Sequence, residues 1–430
     1  MKSTAFKTLL FFALIGIFAS CSSKFDINKD GGKRIVVEIS EKDVIKALSN
    51  NNQDSVFLQA LEMAEHKRLE SESDFVTLFG QSYKKIDPDA SLVPIFLYEF
   101  RDKGLNVNSS NDEVLQILKD ECKANDDRCC QIISNRLNQY FEKESTRYHK
   151  INYNVTLKTG QEKIIIDLPR DEKIDLSSVR KLIQSRGTLG FWETYTFSEL
   201  SSCFDEVNAE LAKTHKELTS DSLTDDESFN QYRKNNPLFA YLQPSYYQDE
   251  TGQYVVGKTA CMGTAMLKDT AVINHLLAET KDLFPHDLKF AWTAKPIITQ
   301  GKAEPLELVA LKMSRDNKCA LGSEAITNAT QEYDQYNLPG VQIIMNPEST
   351  HAWKRLTSNN IGRQIAIVID DHVFSYPVVN CEISNGRSTI SGGGMTAKEA
   401  QNLANILKSG RIPTTVRIIE EIQIDPKKGQ

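Results

Sequence analysis

Reactive chemistry in a protein needs particular side chains at particular spacings, and this 430-residue chain offers few of them. His66, His149, His215, His275, His286, His351 and His372 are scattered singly. None sits in an H-E-x-x-H pair or beside cysteines at a zinc-ligand interval, so neither a metal nor another cofactor is expected. Gly392-Gly393-Gly394 precedes a helical pattern, where backbone amides attract anions. The run lacks the Lys-Ser/Thr of a phosphate loop and the glycine spacing of a dinucleotide loop, so it reads as a turn. No G-x-S-x-G elbow occurs, and acidic pairs such as Asp225-Asp226 and Glu420-Glu421 read as solvated faces. The expected class is a protein that is not an enzyme.

One cysteine is placed for modification. Lys2 and Lys7 precede an apolar run from Leu9 to Ala19, too short for a membrane-spanning helix and of the form of a secretory signal. Phe18-Ala19-Ser20-Cys21 resembles a lipoprotein cleavage box, with Phe18 in place of the usual leucine. Residues 1–20 are thus expected to be a signal peptide, Cys21 the acylated residue, and 21–32 a tether. The chain would then sit in the cell envelope, lipid-anchored and facing the periplasm. The alternative is an ordinary signal cut near Ala19, with Cys21 unmodified. The other cysteines, at 122, 129, 130, 203, 261, 319 and 381, are odd in number and show no scaffold spacing. Cys122 and Cys129 could close a short loop, while Cys130 reads as a small core residue.

The bulk composition narrows the class further. With 40% hydrophobic and 25% charged residues the chain can build folded cores. Its net charge of -7 provides no basic footprint, which excludes nucleic acid as the expected partner. Beyond residue 21 no apolar stretch approaches the roughly 20 residues of a membrane span.

The elements that position everything else follow from periodicity. A strand begins at Arg34, Ser40 caps a helix, and apolar residues at helical spacing continue to Glu142, ending with a stripe of Cys130, Ile133, Leu137, Tyr140 and Phe141. Residues 152–168 read as a hairpin turning near Gly160, followed by a helix through Val179, Leu182 and Ile183 and a strand from Thr188 to Thr194. This β-α-β-β-α-β order predicts a ferredoxin-like layer, in which the strand near Ile35, the hairpin and the strand ending at Thr194 share one sheet. The polar stretch from Thr219 to Ser228 reads as an excursion or boundary. The remainder alternates strands and helices, the last helix opening on a Thr396/Glu399 capping box and stopping at Gly410. The expected fold is α+β: a base domain over 33–200 carrying a helical insertion over 41–125, and a second α+β domain over 201–424.

Three ordered blocks, Ile365–Asn380, Ile383–Gly392 and Glu399–Pro413, resemble the large periplasmic P1 domain of SecD. Upstream, Gly190–Tyr195, Asn236–Pro244 and Leu283–Trp292 are similar to the SecDF fusion proteins of the Bacteroidota. The resemblance implies a ferredoxin-like P1 base, a P1 head that captures emerging polypeptide, and partners among Sec translocon components or unfolded secreted chains. It also implies an accessory or diverged paralogue in translocation, acting without a proton-coupled motor. The alternative is an envelope-attached interaction or structural protein that kept the P1 fold. Some positions depart from the family pattern. Its opening D-L-x-G-G survives as Gly31-Gly32, a glycine after Arg136-Leu-Asn138 is Phe141, the Asp-Gly hairpin tip is Asp370-Asp371, and a small residue before Pro377 is Tyr376. Phe290, Trp292, Phe374 and Tyr376 are the candidate polypeptide-binding residues. Phe290 and Trp292 flank Ala291 and so share a sheet face, where core packing is the competing reading. Phe374 and Tyr376 are two positions apart beside the hairpin tip.

Overall fold

The computed structural model describes residues 25–68, 70–71, 73–145, 151–158, 160–214, 227–297, 305–334, 336–392 and 394–426, so the expected leader and Cys21 lie outside the described residues. After a short helix α1 (Ile27–Asp30), strand β1 (Gly32–Ile39) enters through Gly32, whose φ is 155°. A Cβ there would stand 2.1 Å from the Leu168 carbonyl oxygen, so the close approach of β1 to its neighbour requires glycine.

Helices α2 (Glu41–Leu48), α3 (Ser55–Arg68), α4 (Phe75–Ile86) and α5 (Val93–Phe96) follow, and α6 (Asn111–Glu144) runs for 34 residues. As expected, Ser40 caps α2 by accepting the Asp43 amide. Phe57 meets Phe79 and Phe96 edge-on at 5.7 and 5.9 Å in an apolar centre of the insertion. The long helix belongs to two cores. Val114, Leu118 and Cys122 join the insertion, whereas Ile133, Leu137, Tyr140 and Phe141 pack on the base sheet as expected, with Cys129 rather than Cys130 as the fully buried cysteine.

That sheet is completed by β2 (Asn154–Lys158), β3 (Lys163–Pro169) and β17 (Val416–Ile424), in the order β17-β1-β3-β2 with all neighbours antiparallel. Helix α7 (Leu176–Gln184) covers the same face as α6. The β-α-β-β-α-β succession is the one expected, with one correction. The fourth strand is β17, drawn from the end of the expected second domain, and β4 (Leu189–Thr194) does not join this sheet. Burial explains the exchange. Leu189, Gly190, Phe191 and Trp192 are all buried, which suits the interior of a large sheet covered on both faces. In β17 only Val416 is buried and most side chains face solvent, as an edge strand allows. The chain leaves the base through Gly187, at φ 73°, and returns after Gly410, at φ 87°.

Between these crossings lies the second unit. Its eight-stranded sheet places β15 (His372–Ser375), β14 (Ile365–Ile369), β4, β10 (Leu306–Lys312), β8 (Cys261–Ala265) and β5 (Gln243–Pro244) in that order. Beside it, β11 (Leu321–Gly322) pairs with β4 and β9 (Leu288–Trp292) with β10. Helices α8 (Phe197–Thr214), α9 (Glu227–Asn235) and α10 (Thr270–Glu279) belong to one side, where Phe197, Phe204, Leu276 and Phe284 share a core. Helices α11 (Pro347–Asn359) and α12 (Ala397–Ser409) belong to the other, with Phe191, Trp353 and Leu403. A three-stranded sheet of β12 (Ile326–Tyr333), β13 (Pro339–Met345) and β16 (Arg387–Ile390) lies against α12, and β6 (Tyr246–Gln248) and β7 (Tyr254–Val256) form a separate hairpin. The class is α+β, as expected.

Two further expectations meet the structure. Cys122 and Cys129 sit on one helix seven residues apart, about 10 Å along its axis. That exceeds the Cα separation a disulfide tolerates, and both thiols are free. The polar stretch 219–226 lies outside the described residues. Among those described, no helix is long and apolar enough to cross a membrane.

Candidate functional site

The base and the second unit meet along α12, and the reason is visible in its sequence. Ala400, Leu403, Ala404 and Leu407 face the core of the second unit, while Ile406 belongs to the base core. The Thr396/Glu399 capping box fixes where the helix starts, as expected, and Gly410 ends it. Polar contacts fasten it to α7: Asn402 Nδ2 donates to Ser178 Oγ at 2.9 Å, and Lys398 pairs with Asp175 at 3.0 Å. The Lys398 ammonium, with hydrogen bonds from Ser178 and Ser177, holds the Asp175 carboxyl down at about 2.

Beside this seam lies a cleft of about 640 Å³. Helix α7 contributes Arg180, Lys181 and Gln184, and α12 with its preceding turn contributes Met395, Glu399, Leu403 and Ile406. The β14–β15 hairpin adds Ile369, Asp370, His372 and Phe374, and the chain after β9 adds Lys295. Three of the charged groups are already paired. Arg180 grips Glu421 through two hydrogen bonds of 2.6 and 2.8 Å, and Lys295 lies 2.8 Å from Glu399. Burial opposes ionisation of Glu399, but the bonds from Lys295 and Thr396 outweigh it and keep its carboxyl at about 2. Ile369, Phe374, Met395, Leu403 and Ile406 supply the apolar lining.

The hairpin tip is held by the chain crossing between the two units. Asp370 and Asp371 adopt φ of 48° and 65°, left-handed conformations that glycine adopts without a Cβ penalty. The side chain of Asp370 accepts from Ser185 Oγ at 2.5 Å, from the Thr188 amide at 2.9 Å and from Thr188 Oγ1 at 3.0 Å. Beneath the same crossing Arg136 is fully buried. Its guanidinium donates to the carbonyls of Leu182 in the last turn of α7, of Ser185 and Arg186 on the connection that follows, and of Gly410 on the returning one. Burial lowers this guanidinium to about 10, which leaves it charged at neutral pH.

The four aromatic candidates do not form one platform. Phe290 and Trp292 share a face, as expected, but it is the face packed on the core of Phe204 and Phe284, with ring centroids 6.0 and 5.2 Å from Phe290. Trp292 Nε1 donates to Asn274 Oδ1 at 2.9 Å. Phe374 lines the cleft and packs on the core of Phe191 and Trp353. Tyr376 packs instead with Trp192, Val309 and Val373, and its hydroxyl donates to Glu307 at 2.5 Å. Burial, then that hydrogen bond, pushes its phenol well above the usual range. The two-residue spacing fails to put Phe374 and Tyr376 together for a local reason. Ser375 pairs with Ile367 and Val373 with Val368, so Phe374 is the extra residue of a bulge, and β15 ends before Tyr376. Of the apolar side chains that line the cleft, sequence reasoning singled out Phe374 and passed over Met395, Leu403 and Ile406, of which Leu403 and Ile406 gave only the apolar spacing of a helix.

Comparison with known proteins adds to the geometry. Residues 304–414 match the family model described as the SecDF P1 head subdomain. A protein translocase subunit SecD of Rhodothermus marinus is 30% identical over 422 residues, covering 95% of this chain and 63% of that protein. SecD of Dictyoglomus turgidum is 41% identical over 113 residues, 26% of this chain and 28% of that one. A crystal structure of SecDF in a super-membrane-facing form covers 93% of this chain and 31% of its own, at a TM-score of 0.39 and 15% identity. The chain therefore spans less than two thirds of the length of these relatives. The chain is thus similar to SecD protein translocase subunits over most of its length, and the likeness falls on the P1 domain of SecD.

Proposed function

We propose that this chain serves protein translocation by holding an extended stretch of unfolded polypeptide in the cleft between base and head. The observation that carries the reading is the lining itself: five apolar side chains beside charges that are largely satisfied within the protein. A polypeptide in transit presents no fixed sequence. Its receptor needs apolar area with few demands for specific polar partners, and an affinity weak enough for release. The other arrangement considered, a platform of Phe290, Trp292, Phe374 and Tyr376, draws less support, because these residues contribute to three separate cores. Phe374 is the member retained in this proposal.

The same reading includes attachment to the envelope through an acylated Cys21. One acyl chain gives marginal binding and two give stable anchoring. It also includes a translocon component as the partner that delivers or receives the client, with this chain acting as an accessory or diverged paralogue.

A photo-crosslinking residue placed at Phe374, or at Lys181 across the cleft, tests the site with a reduced, alkylated secretory precursor as client. Both positions should crosslink the client, while Tyr98, which is 94% exposed on the helical insertion, should not. Equal yields from all three positions would remove the cleft as the binding site.

A further inference from the structure

Where the helical insertion meets the base, the protein buries carboxylates that its own cations do not match. Asp126 lies on α6 midway between Cys122, in the insertion core, and Cys129, in the base core. It is 6% exposed and its Oδ1 has no hydrogen-bond partner. Glu41, in the first turn of α2, is 8% exposed and its Oε2 is likewise unpartnered. Glu162, in the β2–β3 turn at φ 54°, is 5% exposed. It accepts the Phe75 amide at 3.2 Å and lies 3.5 Å from Arg68.

Every element packed around this layer adds charge. From β1 comes Glu38 and from α3 come Glu65 and Arg68, with Arg68 at 2.6 Å from Glu38 and 3.2 Å from Glu65. From β17 comes Arg417, 3.4 Å from Glu38 and 3.9 Å from Glu65. Asp74 caps α4 and pairs with Lys119 of α6 at 3.3 Å. The two arginines and Lys119 are thus engaged by Glu38, Glu65, Glu162 and Asp74, which leaves Glu41 and Asp126 with no cation of their own. Cys122 and Cys129 flank the layer as neutral thiols, since burial raises both. Among the described residues no group of three or more histidine, cysteine or acidic side chains is arranged to hold a metal ion.

We propose that this layer is a proton-controlled seam: the helical insertion docks on the base while Glu41 and Asp126 hold protons, and it loosens as rising pH ionises them. Isolated charge cannot be kept in such a place, because an unpaired carboxylate away from water costs far more than its neutral form. Burial, then repulsion from Glu162 and Asp126, raises Glu41 to about 9, and burial, then Glu162, raises Asp126 to about 7. Both values lie above those of the unfolded chain, so the docked state binds more protons than the undocked one. The contribution of these two groups to docking is therefore full below the ordinary carboxylate range and is lost as pH rises through about 7 for Asp126 and about 9 for Glu41.

Hydrogen exchange on the full-length chain, corrected for intrinsic rates, reads the seam directly. Between about pH 6 and about pH 9, protection of α2 and the middle of α6 should fall at least tenfold, roughly the effect of Asp126 alone. Amides of the head strands β4 and β14 serve as internal controls and should change little. The neutral isosteres E41Q and D126N mimic the docked, protonated form, so the double variant should fold and lose most of this pH dependence, the remainder belonging to Glu162, which burial also raises. A wild-type seam that tracks the control strands, a double variant that keeps the full pH dependence, or a double variant that fails to fold would each overturn the proposal.

Discussion

Arg136 provides the sharpest test of how base and head are joined. Replacing it with methionine keeps most of the stem volume and removes the guanidinium. Of its four acceptors, Leu182 and Gly410 lie at 3.0 and 2.9 Å and Ser185 is closer still, while Arg186 at 3.4 Å is a weak contact. Three good bonds from a charged donor are worth about 1.5 kcal/mol each, at the low end for charged groups, after exchange with water, or roughly 4 to 5 kcal/mol together. Against this stands the release of a buried charge whose Nε has no partner, which returns part of the loss. The expected net destabilisation of Arg136→Met is about 3 kcal/mol, measured as the shift of a urea midpoint at constant slope. Lysine cannot reach two connections at once, so Arg136→Lys should rescue little. The carbonyls belong to both crossings, so a domain-resolved probe, such as the fluorescence of Trp353 in the head, should report the loss as well as probes in the base. A change below about 0.5 kcal/mol, the range of ordinary surface substitutions, would refute the clamp.

Four other outcomes follow from particular contacts. The neighbouring left-handed residues should respond differently to glycine: Asp370→Gly relieves backbone strain but loses three side-chain bonds, for a net loss of about 1 to 2 kcal/mol in chemical denaturation. Asp371→Gly relieves the same strain and loses only an exposed pairing with Lys289, so it should be neutral within about 0.5 kcal/mol. Tyr376→Phe should lower stability by about 1 kcal/mol through the lost bond to Glu307 and leave client crosslinking at Phe374 unchanged; loss of crosslinking with unchanged stability would return Tyr376 to the binding site. Cys21→Ser should shift the protein from the membrane fraction to the soluble one, and an unchanged distribution would argue against acylation.

Much of this protein is legible in its residues because local rules decide it. Ser40 and Thr396 start their helices through bonds that span three residues, and the β2–β3 hairpin and the stripe on α6 follow from short periods. The resemblance carried by Ile365–Pro413 rests on residue identity in order, which needs no coordinates. Even the departure at Asp370-Asp371 was visible, because only the backbone conformation of a two-residue turn is at stake.

What tertiary structure decided are choices between partners that look alike locally. Both β4 and β17 satisfy the pattern of a strand able to close the base sheet. Only the two-sided burial of Phe191 and Trp192 sends β4 into the larger sheet, and only the solvated outer positions of β17 suit it to the edge beside β1. Phe374 and Tyr376 part company because one bulge breaks an alternation that spacing alone assumes. The buried layer of Glu41, Asp126 and Glu162 joins residues spread over more than a hundred positions, each of which reads in sequence as an ordinary surface acid. Local sequence sets what a segment is able to form; burial, which depends on every segment at once, sets the partner it takes and the charge it can keep.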